Sequence, residues 1–313
     1  MMLSSLYGAV VGARNALYDR GSLPARRLAK PVISVGNISV GGSGKTPFVI
    51  ALGELLKTRS IAFDVLSRGY GRRSKGVRVV DPGGLASEFG DEPLLIARKL
   101  QVPVIVGEDR YDAGRVAEKQ FETSLHLVDD GFQHRQLARD FDIVLVTPDD
   151  ARDRLLPSGR LREPLTALKR ADAVALMSGA EPEAFPAART FWRARRGILP
   201  KDVPARPIAF CGIARPQNFF LQLRKAGIEP AGEAVFRDHH AYTEKDVHDL
   251  LHLAQRSEAG GFVTTEKDAV NLGGLFSALD PLAVVPVRLE ILDAQAALDS
   301  MLSAIAQRRC TAL

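Results

Sequence analysis

The sequence predicts an α/β fold, a mostly parallel sheet with helices on both faces, arranged in two lobes behind an N-terminal amphipathic helix. Three observations carry that expectation. Short runs of Val, Ile and Leu alternate with helix-length segments almost from end to end. A glycine-rich GKT turn joins one such run to a helix, and another run ends in paired aspartates. Strands that are apolar on both sides belong to parallel sheets covered on both faces.

Taken in order, residues 31–36 (PVISVG) read as a buried strand, followed by a glycine-rich turn and a helix from about 46 to 57. Residues 62–67, 102–106, 125–128 and 143–146 supply further strands, with helices near 92–100 and 109–120. Residues 173–177, 207–212, 261–265 and 283–287 continue the alternation, and a closing helix covers about 292–307. The Pro- and Arg-rich stretch at 180–206 interrupts it, and reads as an exposed connection at a lobe boundary. Trp192, among Arg193, Arg195 and Arg196, also suits contact with lipid or nucleic acid. The expected division is therefore 1–29 for a membrane-associated helix and basic segment, 30–180 for a nucleotide-binding lobe, and 181–313 for a smaller α/β lobe.

The 313 residues suffice for one large domain or two packed ones, and 46% hydrophobic with 25% charged residues is ordinary globular composition. Two cysteines, Cys211 and Cys310, form no CxxC pair, which excludes a disulfide framework or structural zinc and suits a reducing compartment. A formal charge of +5 favours an acidic partner. Only 6% of residues are aromatic and no stacking motif occurs, so nucleic acid is not expected.

Residues 1–13 carry no charge, whereas Arg14, Arg20, Arg26, Arg27 and Lys30 follow against the single acid Asp19. Leu3, Leu6, Tyr7, Val10 and Leu17 recur at helical spacing. The uncharged run is shorter than the roughly 20 residues that span a bilayer, and a secretory leader places positive charge before its apolar run. Two readings remain open. The helix lies in the interface of an anionic leaflet, or it packs its apolar side on the protein's own core.

Val40–Thr46 (VGGSGKT) sits between a predicted strand and helix, where a P-loop belongs. Gly41, Gly42, Ser43 and Gly44 let successive backbone N–H groups turn around phosphate oxygens, and the helix start adds its positive end. Lys45 reaches the outer phosphates, and the Thr46 hydroxyl ligates Mg²⁺. The strict pattern wants glycine at 39, where this chain has Ser39. The strand at 125–128 runs into Asp129 and Asp130, at a sheet edge where metal-holding acids belong, with Asp129 the favoured ligand.

Acceptor chemistry needs a group to orient or deprotonate a hydroxyl. Candidates fall in SRGYGR (67–72), GDEP (90–93), DGFQH (130–134) and DHH (238–240). Asp91 opens a helix and also reads as a plain N-cap. His126 lies within a strand and is expected in the core. His248 and His252, four apart on a helix without a third ligand, are expected on the surface. A regulatory P-loop NTPase would want metal-binding Cys/His clusters, and a membrane scaffold would leave the loop without a purpose.

The ordered motifs VGN, VGGSGKTP, SRGYG, GDEP, VDDGFQH, LLPSGRLREP, RDHH and TTEKDAV resemble the tetraacyldisaccharide 4'-kinases of lipid A biosynthesis, from the first helix to beyond residue 270. Ser43 stands where many relatives have Asn or Thr. The resemblance implies a P-loop kinase that transfers the ATP γ-phosphate to the 4'-hydroxyl of a tetraacyl glucosamine disaccharide 1-phosphate. Its place is the cytoplasmic face of the bacterial inner membrane, peripheral or monotopic, without an obligate protein partner. It implies ATP and Mg²⁺ held by Lys45, Thr46, Asp129, Asp130 and Glu163. It also implies Asp91 as base beside a histidine of the DHH motif, His240 preferred to His239, and Arg68, Tyr70, Arg110, Gln133 and His134 on the lipid phosphate and sugar.

Overall fold

A computed structural model describes residues 2–310. The first lobe runs α1 (Met2–Asp19), β1 (Val32–Asn37), α2 (Lys45–Thr58), β2 (Phe63–Ser67), β3 (Arg78–Val79), α3 (Ala86–Phe89) and α4 (Asp91–Leu100). It continues through β4 (Val104–Val106), α5 (Arg110–Gln120), β5 (Leu125–Asp129), β6 (Phe141–Val146), β7 (Ala173–Met177) and β8 (Phe191–Ile198). The second lobe holds β9 (Ile208–Cys211), α6 (Pro216–Lys225), β10 (Gly232–Val235), α7 (Glu244–Arg256), β11 (Phe262–Thr265), α8 (Glu266–Leu272) and β12 (Leu282–Val285). Then β13 (Val287–Ile291) and α9 (Ala294–Cys310) return to the first.

The larger sheet has the order β13-β8-β7-β6-β1-β5-β2-β4-β3, and the smaller β10-β9-β11-β12. Pairing is parallel throughout except for β13–β8 and β3–β4 at the two edges. The runs read from sequence as apolar on both sides are strands buried on both faces: every residue of β1, β2, β5, β6 and β7 is buried. Helix α2 covers one face with Phe48, Leu52 and Leu56, spaced four apart and buried. Each such side chain contributes roughly 1.5–3 kcal/mol.

The expected boundary at 180 is corrected. Residues 191–198 are not an exposed connection but strand β8, paired with β7 and β13 in the larger sheet. Its burial alternates, with Trp192 and Ala194 inward and Arg193 and Arg195 outward. Trp192 stacks on Phe141, ring centroids 6.0 Å apart, so it serves the core rather than lipid or nucleic acid. The second lobe is thus an insertion between β8 and β13, whose Ile198 and Val287 are paired neighbours. His126 is in the core as expected, with Nδ1 2.9 Å from the Asp64 carboxylate. His248 and His252 are exposed.

Both sheets turn the C-terminal ends of their strands toward one crevice, where open α/β sheets bind ligands. From the larger sheet come the loop after β1 and the end of β5. From the smaller come the turns after β9, β10 and β11. The space between them is about 510 Å³ and includes residues of both lobes, within the range of ligand sites.

Candidate active site

The loop between β1 and α2 is shaped by three glycines in left-handed backbone: Gly41 (φ 73), Gly42 (φ 65) and Gly44 (φ 88). Side chains rarely adopt those angles. Gly44 caps α2 without a side-chain bond, so the helix start presents bare N–H groups to the crevice. Asn37 braces the loop from beneath: its Nδ2 donates to Ser43 Oγ at 2.7 Å, and Lys45 Nζ donates to its Oδ1 at 3.3 Å. Lys45, Thr46 and both aspartates line the same space.

Asp129 and Asp130 diverge because Asp130 adopts left-handed backbone (φ 52). Asp130 accepts from Arg162 at 2.9 and 3.2 Å and lies 3.5 Å from Lys45 Nζ. Burial pushes its carboxyl up, but Lys45 and Arg162 outweigh that and hold it well below the usual range. Asp129 is the opposite case. Its Oδ1 is buried without a hydrogen-bond partner, and burial, with Glu92 and Asp130 nearby, pushes its carboxyl up to about 7. A buried, unpartnered carboxylate oxygen lining the same crevice as Thr46 offers oxygen donors that suit a hard divalent cation.

Across the crevice, Asp91 is buried at the start of α4. His239 Nδ1 lies 2.9 and 3.0 Å from its two oxygens, and Asn271 Nδ2 donates to Oδ2 at 3.2 Å. Lys267 Nζ stands 3.7 Å from the same oxygen, 3.2 Å from His239 Nε2 and 3.1 Å from Asp238 Oδ1. An ammonium only donates. Nε2 therefore accepts, and the imidazole proton sits on Nδ1, facing Asp91. Burial pushes the Asp91 carboxyl up, but the His239 bond and the Lys267 charge win and hold it below its ordinary value. Burial lowers His239, and Asp91 outweighs it to leave the imidazole raised. Asp91 stands behind His239, which with Lys267 lines the crevice.

Three expectations change. His240, preferred as the partner of Asp91, instead places Nε2 3.0 Å from Asp246 Oδ2 and stacks on Phe236 at 4.9 Å. The left-handed backbone at His239 (φ 57) sends consecutive rings to opposite sides, so His239 makes the pair. Glu163, expected to hold nucleotide or metal, is buried with both oxygens engaged: Arg170 donates at 3.0 and 3.2 Å, Asn15 at 2.6 Å and Gln133 at 3.1 Å. It fastens α1 to the loop after β6 and does not face the crevice. Gln133 is used in the same way, donating also to the Asn37 carbonyl at 2.9 Å.

The remaining expected residues are dispersed. Arg68 and Tyr70 line the crevice, and the exposed Tyr70 ring lies 5.0 Å from the His239 ring. Arg110 is buried, its Nε without a partner. Burial lowers its guanidinium while Asp130 and Asp129 pull the other way. His134, 3.9 Å from Asp109, is pushed down to about 4 by burial and then by Arg110. The sequence reading assigned no role to Asn37, Arg162, Lys267 or Asn271. The first three lie inside motifs it quoted, VGN, LREP and TTEKDAV, so the signal was present without a geometry to interpret it.

The comparisons with known proteins agree with this arrangement. A family model described as tetraacyldisaccharide-1-P 4'-kinase matches residues 1–307. A tetraacyldisaccharide 4'-kinase of Koribacter versatilis is 53% identical over 318 residues, covering 98% of this chain and 99% of its own. One from Aquifex aeolicus is 40% identical over 289 residues, covering 87% and 88%. A crystal structure of the "apo" form of LpxK from Aquifex aeolicus in complex with ATP superposes with a TM-score of 0.78, at 35% identity over 97% of both chains. With a matching model over nearly its whole length and a relative more than half identical, this chain belongs to the tetraacyldisaccharide 4'-kinase family.

Proposed function

We propose that this chain transfers the γ-phosphoryl group of ATP to the 4'-hydroxyl of a tetraacyl glucosamine disaccharide 1-phosphate, working at a membrane surface. One observation carries the reading: a phosphate loop and a carboxylate-backed imidazole, His239 on Asp91, face each other across a single crevice. The acceptor oxygen attacks the γ-phosphorus, and the bond from phosphorus to the β–γ bridging oxygen breaks, leaving its electron pair on ADP. The hydroxyl proton passes to the Asp91–His239 pair. The Lys267 charge favours the ionised carboxylate and the neutral imidazole. Lys45, the loop N–H groups and the start of α2 bind the phosphates and stabilise charge on them. Thr46 and Asp129 would hold Mg²⁺, with Asp130 lining the same space, and the ion would neutralise charge on the phosphates. Arg68, Tyr70 and Arg110 line or support the path of an anionic, sugar-bearing acceptor.

The membrane claim rests on α1. No helix among the described residues is long and apolar enough to cross a bilayer. One side of α1 is fastened to the first lobe, where Tyr7 donates to the Arg162 carbonyl at 3.1 Å and Asn15 to Glu163. Leu3, Leu6, Val10 and Leu17 stay exposed, Leu3 to 66%. At 100° per residue those four fall in one narrow stripe. The apolar side is exposed and not packed on the protein's own core, and the stripe suits burial in the interface of an anionic leaflet.

The test uses γ-labelled ATP, Mg²⁺ and the lipid acceptor in detergent micelles, with Asp91→Ala as the variant. Label in the lipid, reduced about 10²- to 10⁴-fold in the variant while ATP still binds, is the expected result. Label released only as free phosphate would sink the lipid-kinase reading.

A further inference from the structure

Arg215 lies in the turn after β9 and caps the start of α6, yet its side chain rests on the phosphate loop of the other lobe. A Cβ on Gly42 would stand 2.9 Å from Arg215 Cγ and 3.3 Å from its Nε, and one on Gly41 would stand 3.0 Å from the Ala214 Cβ. The second lobe thus covers the bend of the loop at Gly41 and Gly42. Only one amino group of Arg215 is engaged, donating to Asp149 Oδ2 at 3.0 Å. Its Nε and its other amino group are shielded from water with no hydrogen-bond partner.

Arg196 of β8 repeats the pattern. Its Nε is shielded and unpartnered, and burial, then the charge of Arg215, holds its guanidinium below the ordinary value. Two guanidiniums that repel each other, with donors dry and unmet, line the crevice together with Lys45. An arrangement like this is unfavourable until an anion enters. The anion that the neighbouring loop is shaped for is a nucleotide polyphosphate.

We propose that Arg215 is an arginine finger supplied in cis by the second lobe, donating from its free N–H groups to a γ-phosphate oxygen as the phosphoryl group transfers. The reading rests on the kinase function above. Arg215 gives up no proton; bond making and breaking remain as described, and the guanidinium stabilises the charge on the moving phosphoryl oxygens. Arg196 adds charge behind it. The Asp149 contact holds the finger in place.

The experiment compares wild type with Arg215→Ala, Arg215→Lys and Asp149→Asn, reading lipid labelling and MgATP binding by calorimetry. Arginine fingers contribute about 10³- to 10⁵-fold to turnover. Arg215→Ala is expected to lose at least about 10²-fold in kcat, with its ATP affinity changed less than about fivefold. Lysine should not restore the rate, because a point charge does not reproduce a planar fork. Millimolar guanidinium should partly rescue the alanine variant and leave wild type unchanged. If Arg215 merely ties the lobes, Asp149→Asn will fall as far as Arg215→Ala and guanidinium will rescue neither. That result, or an alanine variant within about threefold of wild type, overturns the proposal. A wild type that hydrolyses ATP without labelling lipid defeats the kinase reading instead, and the finger is then judged on hydrolysis by the same variants.

Discussion

Three side chains meet at Asp91. The carboxylate accepts from His239 and Asn271, and the Lys267 ammonium sits 3.7 Å away. Lys267 is itself raised: burial opposes its charge, but Asp91, Glu92 and Asp238 prevail. Removing it in Lys267→Ala takes away a cation that lowers both Asp91 and His239. Each then titrates at a higher pH. In the proposed mechanism the carboxylate must be ionised, so the acid limb of the rate profile should move upward. A profile of kcat/KM against pH checks this, with an expected loss of about 10- to 100-fold that is larger at low pH. A uniform loss without a shift of the limb would reduce Lys267 to a packing role. The same sign governs stability: a depressed carboxylate stabilises the fold above its unfolded pKa of about 3.9, and that contribution fades as pH falls through the folded value.

At the scale of elements, the sequence made some parts plain and hid others for identifiable reasons. Mostly apolar runs marked β1, β5 and β6 because burial on both faces leaves no room for regular polar alternation. VGGSGKT was legible because backbone geometry, supplied by glycine, does most of the work there. Strand β8 was hidden since its outward positions are arginines, and the charge density masked the inward Trp192 and Ala194. Adjacent like residues were also ambiguous. In both Asp129–Asp130 and His239–His240, one residue in left-handed backbone sends the two side chains apart, and nothing local announces which partner each side chain meets. Arg215 was invisible because its significance comes from the opposite lobe.

Helix α1 shows the converse, a pattern that was legible but open to two meanings. Its exposed stripe makes a direct prediction. Leu6→Ser combined with Val10→Ser should weaken sedimentation with anionic phospholipid vesicles by about 10- to 100-fold, as expected for roughly 1–3 kcal/mol of lost apolar burial. Melting should move little, because exposed positions carry little folding stability. ATP affinity should be unchanged. Equal vesicle binding by the double variant would return the stripe to ordinary surface.

On the scale of the whole molecule, the second lobe joins the first at two points only, yet several contacts couple them. The chain leaves the larger sheet after Ile198 and re-enters at Val287, its paired neighbour. Val270 of α8 is buried in the core cluster that also holds Phe48 and Leu94 of the first lobe. His239 grips Asp91, Lys99 pairs with Glu266, and Arg215 reaches Asp149. Exposed ion pairs are worth at most about 1 kcal/mol each, so the buried contacts at Val270 and Asp91 decide the coupling. Unfolding one lobe strips the other of them. Calorimetry should therefore show one transition, not two, with matching calorimetric and van't Hoff enthalpies. MgATP at about 100 times its Kd adds about 2.7 kcal/mol to the folded state, and because both lobes line the crevice it should raise that single transition as a unit. Lys45→Ala should abolish most of the rise. Two resolved transitions, with only one moved by nucleotide, would mean that the crevice closes between lobes that fold independently.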